Sequence, residues 1–290
     1  RKRFILFTNE QLADLVELQP KTASGGGASR EEVMENSARD ILGRVPQPFK
    51  LHDVMEKYPV MYEQSMNTVL VQEIIRYNRL LSVIHRTLQD LLKALKGLVV
   101  MSQELEEMSK SLYNNQVPAL WAKAAYPSLK PLAAWVGDLL LRLQFIQAWV
   151  DQGMPKCYWI SGFFFPQAFL TGTLQNYARR NVISIDTISV GFEIMRVESE
   201  AKLAEAPKDG CYIRGLYIEG ARWDPATHQL GESKAKELYT EVPIIWLIPS
   251  VNRQMPATGV YNCPVYKTLT RAGKYQQRQR SRSNVKRTRC

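Results

Sequence analysis

The chain reads as an α+β protein: an N-terminal helical bundle containing one very long helix, followed by a small antiparallel β barrel or sandwich. Three observations predict this. From about Glu63 to Tyr113 apolar residues recur every three or four positions with no proline between them. Beyond Arg180 the apolar residues alternate instead, as in Val182, Ile183, Ile185, Ile188, Val190, Phe192 and Ile194. Between the two regimes stands a dense aromatic knot, Tyr158, Trp159 and Phe163 to Phe165, closed by Pro166, which suits the first turn of a helix.

Taken in order, Thr8 with Gln11 and Ser29 with Glu32 have capping-box spacing and mark two helix starts. The first helix ends near Gln19-Pro20, before a polar, glycine-rich loop from Lys21 to Ala28. The second runs from about Arg30 to Gly43, with Val33, Met34, Ala38, Ile41 and Leu42 on one side. The long periodic segment carries Met66, Val69, Leu70, Ile74, Tyr77, Leu81, Ile84, Leu88, Leu91, Leu92 and Leu95, as one helix or as two meeting near Gly97. Its stripe is broader than a two-in-seven seam, which favours packing in a bundle over an isolated coiled coil. Pro118, Pro127 and Pro131 punctuate a connection with Trp121 and Tyr126, and Leu132 to Val150 reads as a helix with Trp135, Leu139, Leu143, Ile146 and Trp149 inward. A helix from Pro166 to Arg180 follows, with Ala168, Phe169, Leu174, Tyr177 and Ala178 roughly on one face. Strands are predicted at Val182–Ile188, Phe192–Val197, Cys211–Glu219, Ile244–Ile248 and Val265–Leu269, separated by turns such as Lys208-Asp-Gly210, Trp223-Asp-Pro225 and Pro256-Ala-Thr-Gly259. The domain division that follows is 1–180 helical, 181–270 β and 271–290 a basic tail.

Composition narrows the class. An apolar content of 45% excludes global disorder, and no apolar run reaches the ~20 residues of a membrane helix, so a soluble protein without membrane contact is expected. Arg1-Lys-Arg3 opens no secretory signal, and the missing initiator Met suggests a piece of something longer. Cys157, Cys211, Cys263 and Cys290 form no Cys-x-x-Cys pair and read as reduced, buried thiols of an intracellular protein. The formal charge is +10, but Arg271 to Cys290 holds eight basic residues and no acid, which leaves +2 for the rest. That tail is expected to be disordered and to attract polyanions such as RNA, acidic tubulin tails or anionic lipid.

Candidate chemistry is sparse. The loop Ser24-Gly-Gly-Gly-Ala-Ser29 lacks the Gly-Lys-Ser/Thr ending of a phosphate-binding loop and reads as a connector. His52, His85 and His228 are isolated from one another and from the cysteines, so no metal site is assigned. Glu104, Glu106 and Glu107 read as a solvated helix face, and Asp186 as facing solvent or a turn. The aromatic knot reads as interior packing, because no basic residues interleave with its rings. No catalytic and no cofactor-binding residue is assigned.

Several strings carry a resemblance. The run Trp-Ile-Ser-Gly-Phe-Phe-Phe-Pro-Gln-Ala-Phe-Leu-Thr-Gly from Trp159, and Tyr62-Glu-Gln-Ser-Met-Asn-Thr-Val-Leu-Val-Gln-Glu-Ile-Ile-Arg-Tyr-Asn-Arg-Leu-Leu81, resemble the C-terminal region of dynein heavy chains, the axonemal branch most closely. Leu18-Gln-Pro, Ser24-Gly-Gly-Gly27, Ser29-Arg-Glu-Glu32, Leu91 through Leu98, Trp121 through Pro131 and Tyr261-Asn-Cys-Pro-Val-Tyr266 extend it from about Leu15 to Lys267. The resemblance implies the closing helical part of the sixth AAA+ module followed by the C-terminal domain, a non-catalytic, structural and regulatory part of a microtubule motor for ciliary movement. It implies ATP and Mg bound only by earlier modules of the parent motor, and as partners the rest of the ring, dynein intermediate and light chains, and microtubules indirectly. The implied location is the cytoplasm and cytoskeleton, in the axoneme of a cilium or flagellum. After Lys267 the sequence departs from the family pattern, through an altered end or an added binding tail, and the β barrel is expected to be incomplete. The rival reading is a freestanding RNA- or tubulin-binding module acting through residues 271–290.

Overall fold

A computed structural model describes residues 29–251, apart from 198, 236 and 238. The predicted helix start at Thr8, the strand Val265–Leu269, Cys263, Cys290 and the basic tail lie outside the described residues.

The helical part contains α1 (Arg30–Arg44), α2 (Leu51–Lys57), α3 (Ser65–Leu95), α4 (Gln103–Tyr113), α5 (Ala119–Ala124), α6 (Leu132–Gln152) and α7 (Pro166–Asn181). Ser29 caps α1, its Oγ accepting the Glu32 amide at 3.2 Å. The long periodic segment is two helices, and Gly97 is the reason. Its φ of 72° lets its own amide reach Ala94 O and the Leu98 amide reach Lys93 O, which is the glycine-terminated helix end in which two orphan carbonyls are satisfied at once. Ser102 then opens α4 by accepting the Leu105 amide.

The predicted inward residues of α3 are buried through Leu91, with Leu92 and Leu95 packed at the edge of the core, and all five on α6 are buried. On α1, Met34, Ala38 and Ile41 are buried, whereas Val33 is exposed. Helix α7 crosses α3 closely at Gly172, where an added Cβ would lie 3.1 Å from carbons of both the Met66 and the Val69 side chains.

The β part is open. A four-stranded sheet has the order β1-β3-β8-β2, from β1 (Cys157–Trp159), β2 (Ile188–Ile194), β3 (Cys211–Arg214) and β8 (Ile245–Val251). Two ribbons stand apart from it, β4 (Tyr217–Glu219) with β7 (Tyr239–Glu241), and β5 (Ala221–Asp224) with β6 (Gln229–Glu232). The expected antiparallel barrel is thus, among the described residues, a mixed sheet that does not close. Strand β1 runs parallel to β3, a pairing that needs a long crossover, and the connection between them includes α7. One apolar cluster joins the two parts, since Tyr158, Phe169, Cys211, Ile213 and Ile245 belong to the same core as α3 and α6.

The predicted strand Val182–Ile188 is corrected. Val182 sits in the left-handed region at φ 54° as the C-cap of α7, with the Ile183 amide reaching back to Ala178 O, and residues Ile185–Thr187 form a turn of 3-10 helix. Helix termination outweighs the local alternation there, and pairing with β8 begins at Ile188. The predicted run Cys211–Glu219 is split at Gly215, whose φ of 83° turns the backbone between β3 and β4. A side chain there would strike Trp159 and Ser161. Trp223 and Asp224, expected in a turn, end β5.

Candidate functional site

The aromatic knot folds into the junction of α3, α6, α7 and the sheet, and a buried carboxylate organises it. Glu73 lies on the apolar stripe of α3, one turn from Leu70 and Tyr77, and is 1% exposed. Its two oxygens accept the main-chain amides of Phe164 at 2.5 Å and Phe165 at 3.0 Å, immediately before Pro166 opens α7. A negative group just ahead of a helix start is favourably placed against the helix dipole. Burial nevertheless pushes the Glu73 carboxyl above its ordinary value, against the opposing pull of the two amides and of Arg76, whose Nη1 is 3.7 Å away. Tyr77, one turn along α3, donates its hydroxyl proton to Gly162 O at 2.7 Å, so two side chains of one helix hold the residue-162 to residue-165 segment from both ends.

The rings close around these bonds. Phe164 meets Tyr77 and Tyr126 edge-on at 4.9 and 5.6 Å, and Phe163 stacks on Phe169 at 4.8 Å. Asp138 of α6, 8% exposed, accepts from Lys130 Nζ and Arg142 Nε, each at 2.7 Å. Burial opposes its ionisation, but the Lys130 hydrogen bond and the Arg142 charge together outweigh burial and hold its carboxyl below the usual range. The Arg142 guanidinium lies 3.8 Å from the centre of the Tyr126 ring, a cation–π contact that ties the ion pair to the knot.

The residues singled out from sequence are scattered. His85 Nε2 bonds Pro46 O at 2.9 Å, His52 is exposed, and His228 sits near the Trp223 ring. Glu106 pairs with Lys110 on an exposed face of α4, and Asp186 is exposed in the 3-10 turn. Cys157 and Cys211 are free and buried, and burial pushes each thiol up to about 12. Ser29 is the one described residue of the glycine-rich loop and acts as a helix cap. Among the described residues no group of three His, Cys, Asp or Glu side chains converges to hold a metal, and no helix is long and apolar enough to cross a membrane.

One cavity of about 290 Å³ opens between α7, the segment before β3 and the segment before β1. Two of the three cations on its wall are engaged: Lys156 donates to Ala204 O at 2.7 Å, and Arg180 binds Lys208 O and the Asp209 carboxylate. Sequence reasoning missed Glu73, Asp138 and Arg142. The signal was present, since Glu73 and Asp138 both fall on the inward stripe of an otherwise apolar helix face, where a carboxylate needs partners.

What this arrangement does is hold a helix bundle against a sheet, with its buried charges consumed by amides and ion pairs. Residues 5–287 match the family of the C-terminal domain of the dynein heavy chain, and the protein belongs to that family. It is 63% identical over 262 residues to "Dynein axonemal heavy chain 1" of Homo sapiens, covering 90% of this chain and 6% of that protein. It is 51% identical over 266 residues to "Dynein axonemal heavy chain 3" of Mus musculus, covering 92% of this chain and 6% of that protein. With "Dynein axonemal heavy chain 12" of Rattus norvegicus the identity is 46% over 250 residues, 86% of this chain and 8% of that protein. The sequence therefore spans a small fraction of the length of these relatives. The family match runs to residue 287, past Lys267, after which a departure from the family pattern is expected from the sequence.

Proposed function

We propose that this chain serves as a non-catalytic, structural and regulatory part of an axonemal dynein motor, working in the axoneme of a cilium or flagellum. On this reading ATP and Mg are handled by other parts of the heavy chain, and contact with microtubules is indirect. The remainder of the motor ring and the dynein intermediate and light chains are the partners of the assembled motor. The observation that supports the reading is the use of the buried carboxylates. Among the described residues, Glu73 and Asp138 are the acidic groups buried in the helical core. Both are spent on main-chain amides and cations, leaving neither placed to accept a proton from a substrate.

The test is titration calorimetry of the protein with Mg-ATP. A flat trace is expected, because phosphoryl transfer needs a phosphate-cradling loop, a metal-holding hydroxyl and a water-positioning residue in one place. A stoichiometric isotherm would overturn the proposal.

A further inference from the structure

Helices α1 and α4 each cap their first turn with the serine that precedes them, Ser29 and Ser102. Helices α3 and α7 do not. Phe165, ahead of α7, makes no side-chain cap, and Gln64, ahead of α3, reaches the Met66 amide at 3.4 Å. The first amides of these two helices find their acceptors across the contact between them instead. Glu73 of α3 accepts the Phe164 and Phe165 amides, and Asn176 Oδ1 of α7 accepts the Ser65 amide at 2.8 Å. Further bonds tighten the Ser65 end: Asn176 Nδ2 donates to Gln64 Oε1 at 2.8 Å, the Ser65 hydroxyl donates to Gln175 Oε1 at 2.9 Å, and Arg179 donates to Tyr62 O and to Ser65 Oγ. Glu73 and Ser65 are both buried, so water is not at hand to replace these partners.

We propose that α3 and α7 form a reciprocal clamp, in which each helix start is held by the other helix and the two starts open and close as one unit, a shear joint between the bundle and the sheet. The helices run antiparallel, since Glu73 meets the start of α7 while Ser65 meets Gln175, Asn176 and Arg179 near its end. The two caps therefore sit at opposite ends of one contact, with Gly172 packed against Met66 and Val69 between them. A helix moves as a rod, and a hydrogen bond is lost once its atoms separate much beyond ~3.5 Å. A slide of α7 along α3 by one residue's rise, ~1.5 Å, thus breaks both ends at once. The sheet follows α7, because Thr173 Oγ1 lies 3.7 Å from Cys211 Sγ on β3 and Leu174 stands beside Leu247 on β8.

Hydrogen exchange of the full 290-residue protein, read residue by residue by NMR, tests this. The Ser65, Phe164 and Phe165 amides are expected to share one opening constant, larger than that of the Leu80–Leu91 amides inside α3. Asn176→Ala should raise it about tenfold at Phe164 and Phe165 as well as at Ser65, although Glu73 is untouched and roughly 16 Å of helix separates the two ends. Alanine favours a helix more than asparagine does, so a merely local effect would leave α7 no less protected. Glu73→Gln, which offers one acceptor oxygen to two amides, should in turn raise exchange at Ser65. Exchange that rises only at the end carrying the substitution overturns the proposal. So does opening of the three amides in the parent at the rate of the Leu80–Leu91 amides, which would make the clamp part of global unfolding. A rise that those α3 amides share equally overturns it for the same reason.

Discussion

The helical part and the β part differ most in where their large side chains end. The largest fully buried side chains, among them Trp121, Trp135, Trp149, Tyr77, Phe169 and Leu81, all lie on helices, whereas no residue of β4, β5, β6 or β7 is buried. A long amphipathic helix adds a buried residue with every turn, so its stability grows with length. A ribbon of three or four residues gains main-chain pairing and little else, and an isolated two-stranded hairpin is marginal in water. Among the described residues, the sheet whose strands hold buried residues is the one that lies beside α7. Burial in this molecule therefore follows helix contact.

Hydrogen exchange should show the largest contrast. Amides within α3 are expected to open only with global unfolding, and those of β5 and β6 through local fluctuations that leave the helices intact. Equal protection in the two regions would break the comparison. Next in size, Trp135→Ala should cost about 3–5 kcal/mol in denaturant unfolding, while Trp223→Ala, on a half-exposed strand, should cost less than about 1 kcal/mol. Similar losses would mean that the ribbons carry more of the stability than their burial indicates.

The junction offers a sharper case. Glu73→Leu takes the acceptor from the part-buried Phe164 and Phe165 amides and is expected to cost about 3 kcal/mol, whereas Glu73→Gln keeps an acceptor oxygen, removes a buried charge and should cost clearly less. The pH dependence has a defined sign. The folded-state value of Glu73 is raised, so the stability linked to its neutral form is complete below its unfolded value of about 4.3 and is lost as pH rises through the raised value. The stability of the parent relative to Glu73→Gln should therefore fall as pH rises through that window. A constant difference across it would remove burial as the dominant influence on Glu73.

The smallest expected effect is a gain. Val182 is a β-branched residue held at φ 54°, and it is 90% exposed, so its side chain offsets little of that conformational cost. Val182→Gly should stabilise α7 and the whole fold by about 1 kcal/mol. A loss would show that the side chain matters more than the backbone angle at this helix end.

Much of the helical part is legible in the sequence because its cause is local. The 3.6-residue period of α3 and α6 names their buried faces, Gly97 marks the place where α3 can end, and Pro166 names the start of α7. The short helices α2 and α5 carry too few residues for a period to show. The missed strands have the same explanation: β1 is three residues long, and β5, β6 and β7 are half-exposed ribbons without clean alternation. Val182 shows alternation misleading, because an isolated apolar pattern cannot reveal that the preceding helix needs a left-handed residue to end on.

For the site, sequence alone determined that the aromatic knot is core, which faces of α3 and α6 turn inward, and, through long unusual strings, that the protein resembles dynein heavy chains. Only the tertiary structure decided that Glu73 closes the start of α7, that Asp138 joins Lys130 to Arg142, and that β1 runs parallel to β3. The difference is one of distance along the sequence. Helix periods, caps and turns arise between residues three or four apart and are written in local order, whereas Glu73 and Phe164 are 91 positions apart. Which amides a buried carboxylate receives is set by how whole helices pack, and that choice is made by the sum of their contacts.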